Sequence, residues 1–547
     1  MRKLNLSSDN EVAFADKAFL IIDDFHGMRA VLRDILRSCG ANSRNISTAS
    51  NGGEAIAALE RNRFDVVLCD YNLGAGKNGQ QVLEEARHRR LISPSCAWII
   101  VTAEKTTDII TGAAEHQPDT YLIKPVTEAM LSQRLRKVWA KKEAFAEIDA
   151  AVGRKDYRKA IELCDERLKT DQANAVELMR IKAQMLVESG KLAQAKELFE
   201  QAVAEREFPW ARVGLAKVLY QERDYNAAKF LLEGVVTENR TYVEAYDWLA
   251  RSHEALGELE EMERVLQMAT RISPNSVQRQ KALGEVALKL GKLDNAENAF
   301  KKSVSLGEHS VFRTPDAYLG LAKTYGVKEK GDEALQVLDA LTKKFDDDTV
   351  QIKALTVEGM VHHQCGNPVG ARKVAKELMQ QMDRKPQFND GEAVVEMSEF
   401  LMMTGEGEKA ASLLQEQVKR DPENAALLER VQQVFDTANL ADQGAQMLEQ
   451  SRKESIARMN EGVLLARDGK LDEAVASLRE VRRAMPQSAR VLFNLVHVII
   501  LLLKARGGHP ALIQEARGAL LEANRYSPGE ARFGQMMEML ESIASAQ

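Results

Sequence analysis

In the first 125 positions, polar residues stand directly after short apolar runs. Asp23 and Asp24 follow Phe19–Ile22 (FLII), Asp70 follows Asp65–Cys69 (DVVLC), Thr102 follows Ala97–Val101 (AWIIV), and Lys124 follows Tyr121–Ile123. Three carboxylates brought together repel one another unless a cation neutralises them, and an all-oxygen ligand set suits Mg²⁺. A lysine and a hydroxyl at the same rim can hold phosphoryl oxygens, one as a point charge and one as a hydrogen-bond donor. The chemistry implied is phosphoryl transfer onto a carboxylate. Any one such residue could be ordinary turn chemistry. Their recurrence at four consecutive strand ends carries the inference.

The elements that must position them alternate. The apolar runs read as buried parallel strands, and Met28–Ser38 and Glu54–Arg61 between them have helical periodicity. Strand and helix in alternation predict βα units around a parallel sheet. In such a sheet the carboxyl edge of the strands is where ligands bind.

The segments LIIDDF (20–25), TASNGGEA (48–55), VVLCDYN (66–72), IIVTAE (99–104) and YLIKP (121–125) resemble the receiver domain of two-component response regulators, chemotaxis receivers in particular. The resemblance covers residues 16–140 and implies a doubly wound α/β fold with a parallel five-stranded sheet. It implies that Asp70 is the phosphoacceptor, that Asp24 and Asp70 hold Mg²⁺ with Asp23 in support and the Asn72 backbone carbonyl contributing, and that Thr102 and Lys124 contact the phosphoryl group. Tyr121 would be the aromatic switch, and Ala103 leaves it space to turn inward. Asn72 and Glu104 resemble the pair that tunes dephosphorylation in fast chemotaxis receivers, which implies a short-lived phosphoryl state. One departure is visible: the loop DYNLGAGKNG has Gly74 where receivers usually carry proline, and an extra residue before Gly79.

From residue 143 onward a small residue recurs with another twelve positions later: Ala183/Ala195, Ala216/Ala228, Gly284/Ala296, Ala322/Ala334, Gly359/Ala371, Ser398/Ala410 and Gly462/Ala474, with Ala250/Met262 keeping the spacing. The second members from Ala195 to Ala410 step by 33, 34, 34, 38, 37 and 39 residues. Antiparallel helices approach closely only where side chains are small, and glycine ends the first helix of a pair. This pattern resembles the tetratricopeptide repeat. It implies an all-α superhelix over 143–547, about ten helix pairs with weaker ones near Ala160, Gly444 and Ala516, and a C-terminal capping helix after Pro528. Such arrays hold proteins or peptides. Asn460 and Asn494, 34 residues apart, match asparagines that clamp a peptide carboxylate in some such proteins, and Arg490 and Arg532 could add charge. His362, His363 and Cys365 read as a solvated helix end rather than a metal site, and Met402-Met403 and Met536–Met539 as core or cap. Trp139 is expected to anchor the interface between the receiver's last helix and the array.

The 547 residues carry a net charge of −6; residues 1–140 contribute 18 basic against 17 acidic side chains, so the acidity lies in the array. That argues against nucleic-acid binding. Five cysteines without CxxC spacing, a polar start and no span-length apolar run fit the cytoplasm. Thr127–Val152 lacks glycine and proline and reads as one helix joining receiver to array without a flexible tether. The chain therefore reads as a response regulator phosphorylated by a histidine kinase or phosphotransfer protein. Its output would be protein–protein interaction rather than catalysis, with a homodimer left open. The alternative is a constitutive adaptor whose receiver is a docking module or phosphate sink.

Overall fold

A computed structural model of the chain describes residues 14–103, 118–384, 390–507, 509–527 and 530–545. The chain forms two compact units, Met1–Tyr220 with Asp224–Ala317 and Gln221–Arg223 with Tyr318–Gln547. In the first unit, β1 (Phe19–Ile22), β2 (Ile46–Ala49), β3 (Val66–Asp70), β4 (Ala97–Thr102) and β5 (Thr120–Ile123) make one sheet in the order β2-β1-β3-β4-β5, every neighbouring pair parallel. Strand side chains alternate between faces. Phe19, Ile21, Val66, Leu68, Ile99 and Val101 pack beneath α1 (His26–Ser38) and α4 (Glu128–Gly153). Leu20, Ile22, Val67, Cys69, Trp98 and Ile100 pack beneath α2 (Gly52–Arg61) and α3 (Gly79–His88). Both faces are covered, so these strands carry no polar alternation.

The expected continuous helix is present. Thr127 caps α4, its hydroxyl accepting from Met130 N at 3.3 Å, and the helix runs for 26 residues. Its first half belongs to the receiver core through Leu131, Leu135 and Val138. In its second half, Phe145 and Ile148 pack with Cys164 and Leu178 of the first array helices, and Ala151 packs with Ala160. One rigid element thus serves two cores. Trp139 is not the expected joint: it packs edge-on to Phe14 at 6.4 Å under the Lys17 ammonium, inside the receiver's own core. The helical repeat explains this, because 131, 135, 138 and 139 share one face.

At the joint, Lys142 pairs with Asp119 at 2.9 Å and donates to the Pro94 carbonyl at 2.8 Å. Burial, with Asp119 and Glu177 nearby, pushes the Asp149 carboxyl up to about 6 against the pull of Lys142 and Lys141. A carboxylate raised in the folded state favours folding below its unfolded value and loses that contribution as pH rises through about 6. Asp149→Asn is therefore expected to raise stability by about 1–2 kcal/mol at pH 7.5, after discounting for solvent screening, and to change little near pH 4. Urea midpoints at the two pH values check this.

The array consists of antiparallel helix pairs, beginning with Tyr157–Leu168 against the end of α4 and continuing as Ala175–Glu188/Leu192–Glu205 and onward. The small residues at the paired positions are buried as expected. A methyl added to Gly284 would meet the Phe300 ring at 2.7 Å. Gly190, Gly257, Gly291, Gly366, Gly405 and Gly469 follow the ends of first helices at positive φ, a conformation cheap only for glycine. The step of 38 residues between Ala296 and Ala334 has a local cause: Leu293–Gly307 is followed by a long turn, 308–314, before Pro315–Val327.

In the second unit, the weak pair near Gly444 and the pair Gly462/Ala474 share one 27-residue helix, Ala441–Arg467. Gly444 lies against Phe435 and Gly462 against Leu478. Pro528 lies outside the described residues, but a terminal helix, Ala531–Ser545, caps the array through Met536 and Leu540.

Candidate functional site

Each residue singled out at the strand ends is carried to the carboxyl edge by its strand. Asp23 follows β1, Asp70 ends β3, Thr102 ends β4 and Lys124 follows β5. Carboxylate oxygens of Asp23, Asp24 and Asp70 all lie within 4.8 Å of one another, the one such acidic or metal-ligating group among the described residues. Asp23 is fully buried, Asp70 and Thr102 nearly so, and Asp24 is exposed. The Lys124 ammonium bridges Asp70 Oδ2 at 2.7 Å and Asp23 Oδ2 at 2.9 Å. Asp23 Oδ1 accepts from Phe25 N at 2.9 Å. Three carboxylates against one lysine leave a local negative excess, and the donors are all oxygen, so the set fits a hard divalent cation.

Burial raises the Asp70 carboxyl above its ordinary value and the Asp23 charge adds to this, although Lys124 and the Asn72 amide oppose it. Burial alone would lower the Lys124 ammonium, but its hydrogen bonds to Asp70 and Asp23 outweigh that and leave it raised. Asp70 is thus a buried carboxyl in a negatively charged cluster, a setting in which perturbed acids concentrate at functional sites.

The β3–α3 loop explains the departure at position 74. Gly74 and Gly76 stand at φ +73° and +101°, where proline's locked φ cannot go. A methyl on Gly74 would lie 3.4 Å from Asp24 Oδ2. Asn72 N approaches Asp70 Oδ1 at 3.4 Å, while the Asn72 side chain accepts from Gly74 N at 3.3 Å. Glu104 lies outside the described residues.

Tyr121 on β5 packs against the α2/α3 side of the core with its hydroxyl enclosed and without a hydrogen-bond partner among the described residues. Burial pushes that hydroxyl well above the usual tyrosine value. A buried unsatisfied hydroxyl is costly, so Tyr121→Phe is expected to leave the resting receiver as stable or up to about 1 kcal/mol more stable. Thermal unfolding of the two proteins checks it.

Sequence reasoning missed Arg29, whose guanidinium donates to the Asp23 and Asp24 carbonyls at 2.6 and 3.1 Å. The helical stretch proposed there placed it one turn from the acids, a usable but unspecific signal. It also missed the tightness at Gly79, where an added methyl would lie 2.0 Å from the Asp70 carbonyl oxygen.

Elsewhere, Asn460 is exposed on the long helix and Asn494 half-buried on Ala489–Arg506. Arg490 pairs with Glu423 at 3.1 Å, and Arg532 pairs with Glu530 and stacks over Phe493. His362 and His363 end helix Asp348–Gln364. No helix among the described residues is long and apolar enough to cross a membrane.

Comparison with known proteins agrees with this geometry. Residues 19–136 match the response regulator receiver domain model, and residues 186–233, 219–286 and 282–307 match tetratricopeptide repeat models. Chemotaxis protein CheY-3 of Vibrio cholerae serotype O1 is 32% identical over 120 residues, which is 22% of this chain and 89% of that protein. Chemotaxis protein CheY of Pseudomonas aeruginosa is 31% identical over 120 residues, 22% of this chain and 94% of that protein. Among solved structures, a tetratricopeptide repeat protein from Parabacteroides merdae is similar with 16% identity and a TM-score of 0.38, covering 47% of this chain and 98% of that one. The chain belongs to the response regulator receiver family through an N-terminal two-component receiver domain, and carries tetratricopeptide repeats after it.

Proposed function

We propose that Asp70 accepts a phosphoryl group from a phosphohistidine on a histidine kinase or phosphotransfer protein, and that this state sets which protein or peptide the repeat array holds. The observation that carries the reading is the acid cluster within 4.8 Å bridged by Lys124. In the forward step an Asp70 oxygen forms a bond to phosphorus as the phosphorus–nitrogen bond to the donor histidine breaks, and that nitrogen regains a proton. Hydrolysis then returns the free carboxylate and inorganic phosphate.

Asp23, Asp24 and Asp70, with the Asn72 carbonyl, would hold Mg²⁺. When bound, the ion neutralises charge on the transferring phosphoryl oxygens. Lys124 sits where it can leave its carboxylate partners for the phosphoryl group, and Thr102 offers a hydroxyl from the end of β4. Tyr121 is the switch, and Asn72 and Glu104 set a short lifetime.

The receiver spans 16–140 and the array 143–547 in this reading. The array works by binding, in the cytoplasm, with Asn460 and Asn494 as one candidate peptide clamp.

Incubation with acetyl phosphate and Mg²⁺, followed by peptide mapping, tests the reading. Label on the Asp70 peptide, decaying within minutes and absent without Mg²⁺, is the expected result. Label elsewhere, or none, overturns the acceptor assignment, and label persisting for hours overturns the short lifetime.

A further inference from the structure

Receiver and array meet at a second place besides α4. The outer face of α3 lies against the end of helix Leu293–Gly307 and the turn that follows it. Gln81 Nε2 donates to the Leu306 carbonyl at 3.3 Å, Ser310 Oγ donates to Glu84 Oε2 at 2.8 Å, and the His88 ring meets the Phe312 ring edge-on at 5.3 Å. Leu306 belongs to the last helical turn, whose carbonyls have no intrahelical partner, so Gln81 supplies a missing cap. Ser310 Oγ also accepts from Phe312 N at 3.1 Å, which orders the turn that presents the ring. This turn is the segment that lengthens the repeat step to 38 residues. Insertions in repeat arrays commonly serve a binding face.

The same helix is wired to the phosphoacceptor. Gly79 opens α3, donates to the Tyr71 carbonyl at 2.8 Å, and sits so close to the Asp70 carbonyl that no Cβ would fit. Asn78 caps the helix by accepting from Gln81 N, while the Gln81 side chain accepts from Asn78 N at 3.0 Å. The Gln81 amide therefore has one end on the loop that leaves Asp70 and the other on the array. Gly74 and Gly76 give that loop the freedom to rearrange.

We propose that the α3 face is a docking surface for the array's own 306–312 segment, a clasp closed in the resting protein and loosened when Asp70 is phosphorylated. The release half of this rests on the phosphoacceptor reading above. With the clasp closed, helices 157–307 are held at both ends, covalently by α4 and non-covalently by α3. Two of these three contacts are polar, as in interfaces built to separate, and the Gln81 bond is long at 3.3 Å. Release frees the early repeats to change curvature and so the groove they offer a partner.

Trypsin cleavage after Arg313, an exposed residue in the turn, reads the clasp in the full-length protein. Gln81→Ala/Glu84→Ala, and Ser310→Ala from the array side, are expected to accelerate that cut about tenfold, the effect of losing one or two such hydrogen bonds. Wild type with Mg²⁺ and beryllofluoride is expected to show the same acceleration and Asp70→Asn none, while fluorine NMR reports independently whether beryllofluoride has bound. Cleavage equally fast in resting wild type and in both variants overturns the clasp. Bound beryllofluoride with unchanged cleavage overturns its release while leaving the acceptor site standing. No bound beryllofluoride overturns the acceptor reading and, with it, the release.

Discussion

Lys124→Ala is expected to destabilise the metal-free receiver by about 3–5 kcal/mol, because it leaves the buried Asp23 and Asp70 carboxylates without their cation. Asp24 adds a third negative charge to the same cluster, with carboxylate oxygens of all three acids within 4.8 Å of one another. Relaxation cannot move two strand-end residues apart while β1 and β3 remain paired in register. A second cation should offset the loss. Millimolar Mg²⁺ is therefore expected to restore much of the variant's stability and to stabilise the wild type less. Thermal unfolding of both proteins, with and without Mg²⁺, measures the difference. A variant as stable as wild type in chelator would show that the carboxylates do not depend on Lys124.

The second large effect lies in the C-terminal unit. Gly359→Ala would put a methyl 2.0 Å from Phe400 Cζ, and Phe400 is fully enclosed by Leu378, Met397 and Leu401 in a close-packed cluster. Neither the ring nor the helix backbone has room to yield, so the substitution is expected to cost about 3 kcal/mol. Gly518→Ala is the contrast. No atom lies within 4 Å of the added methyl, so a helix-interior glycine is replaced by the best helix former for a gain of about 0.5–1 kcal/mol. Phe400→Leu placed on Gly359→Ala should recover part of the loss, a coupling that a double-mutant cycle in urea reads directly. Equal effects of the two alanine substitutions would refute the close-approach account of the repeat.

These contrasts also show what could be read from the residues. The site was legible because strand ends are local: an apolar run followed by Asp, Thr or Lys places that side chain at the sheet's carboxyl edge whatever the rest of the chain does. The α4 joint was legible because nothing between Thr127 and Val152 breaks a helix. The same signal was present between Gly444 and Gly462, where a stretch free of glycine and proline belongs to one long helix rather than to a turn between pairs. Trp139 lies near the boundary in sequence, but its helical face is that of Leu131 and Leu135, and the face decides which core it joins.

Other features were out of reach for physical reasons. The clasp joins residues more than 220 positions apart, from Gln81 to Leu306, from Glu84 to Ser310 and from His88 to Phe312, and no local pattern encodes such a meeting. The repeat step of 38 marked the turn without naming what it touches. Gly74 was visible as a departure, but its reason is a positive φ that only coordinates reveal.

The proposed mechanism requires that the array feel the state of Asp70. Hydrogen exchange on the full-length protein with Mg²⁺ and beryllofluoride, with Asp70→Asn as control, tests it most directly. The account predicts protection changes at the strand ends around Asp70, Thr102 and Lys124 that continue past residue 143 into the early repeats, and none in the control. Changes confined to residues 16–140 would contradict it, and the constitutive adaptor would then be the better description of this chain.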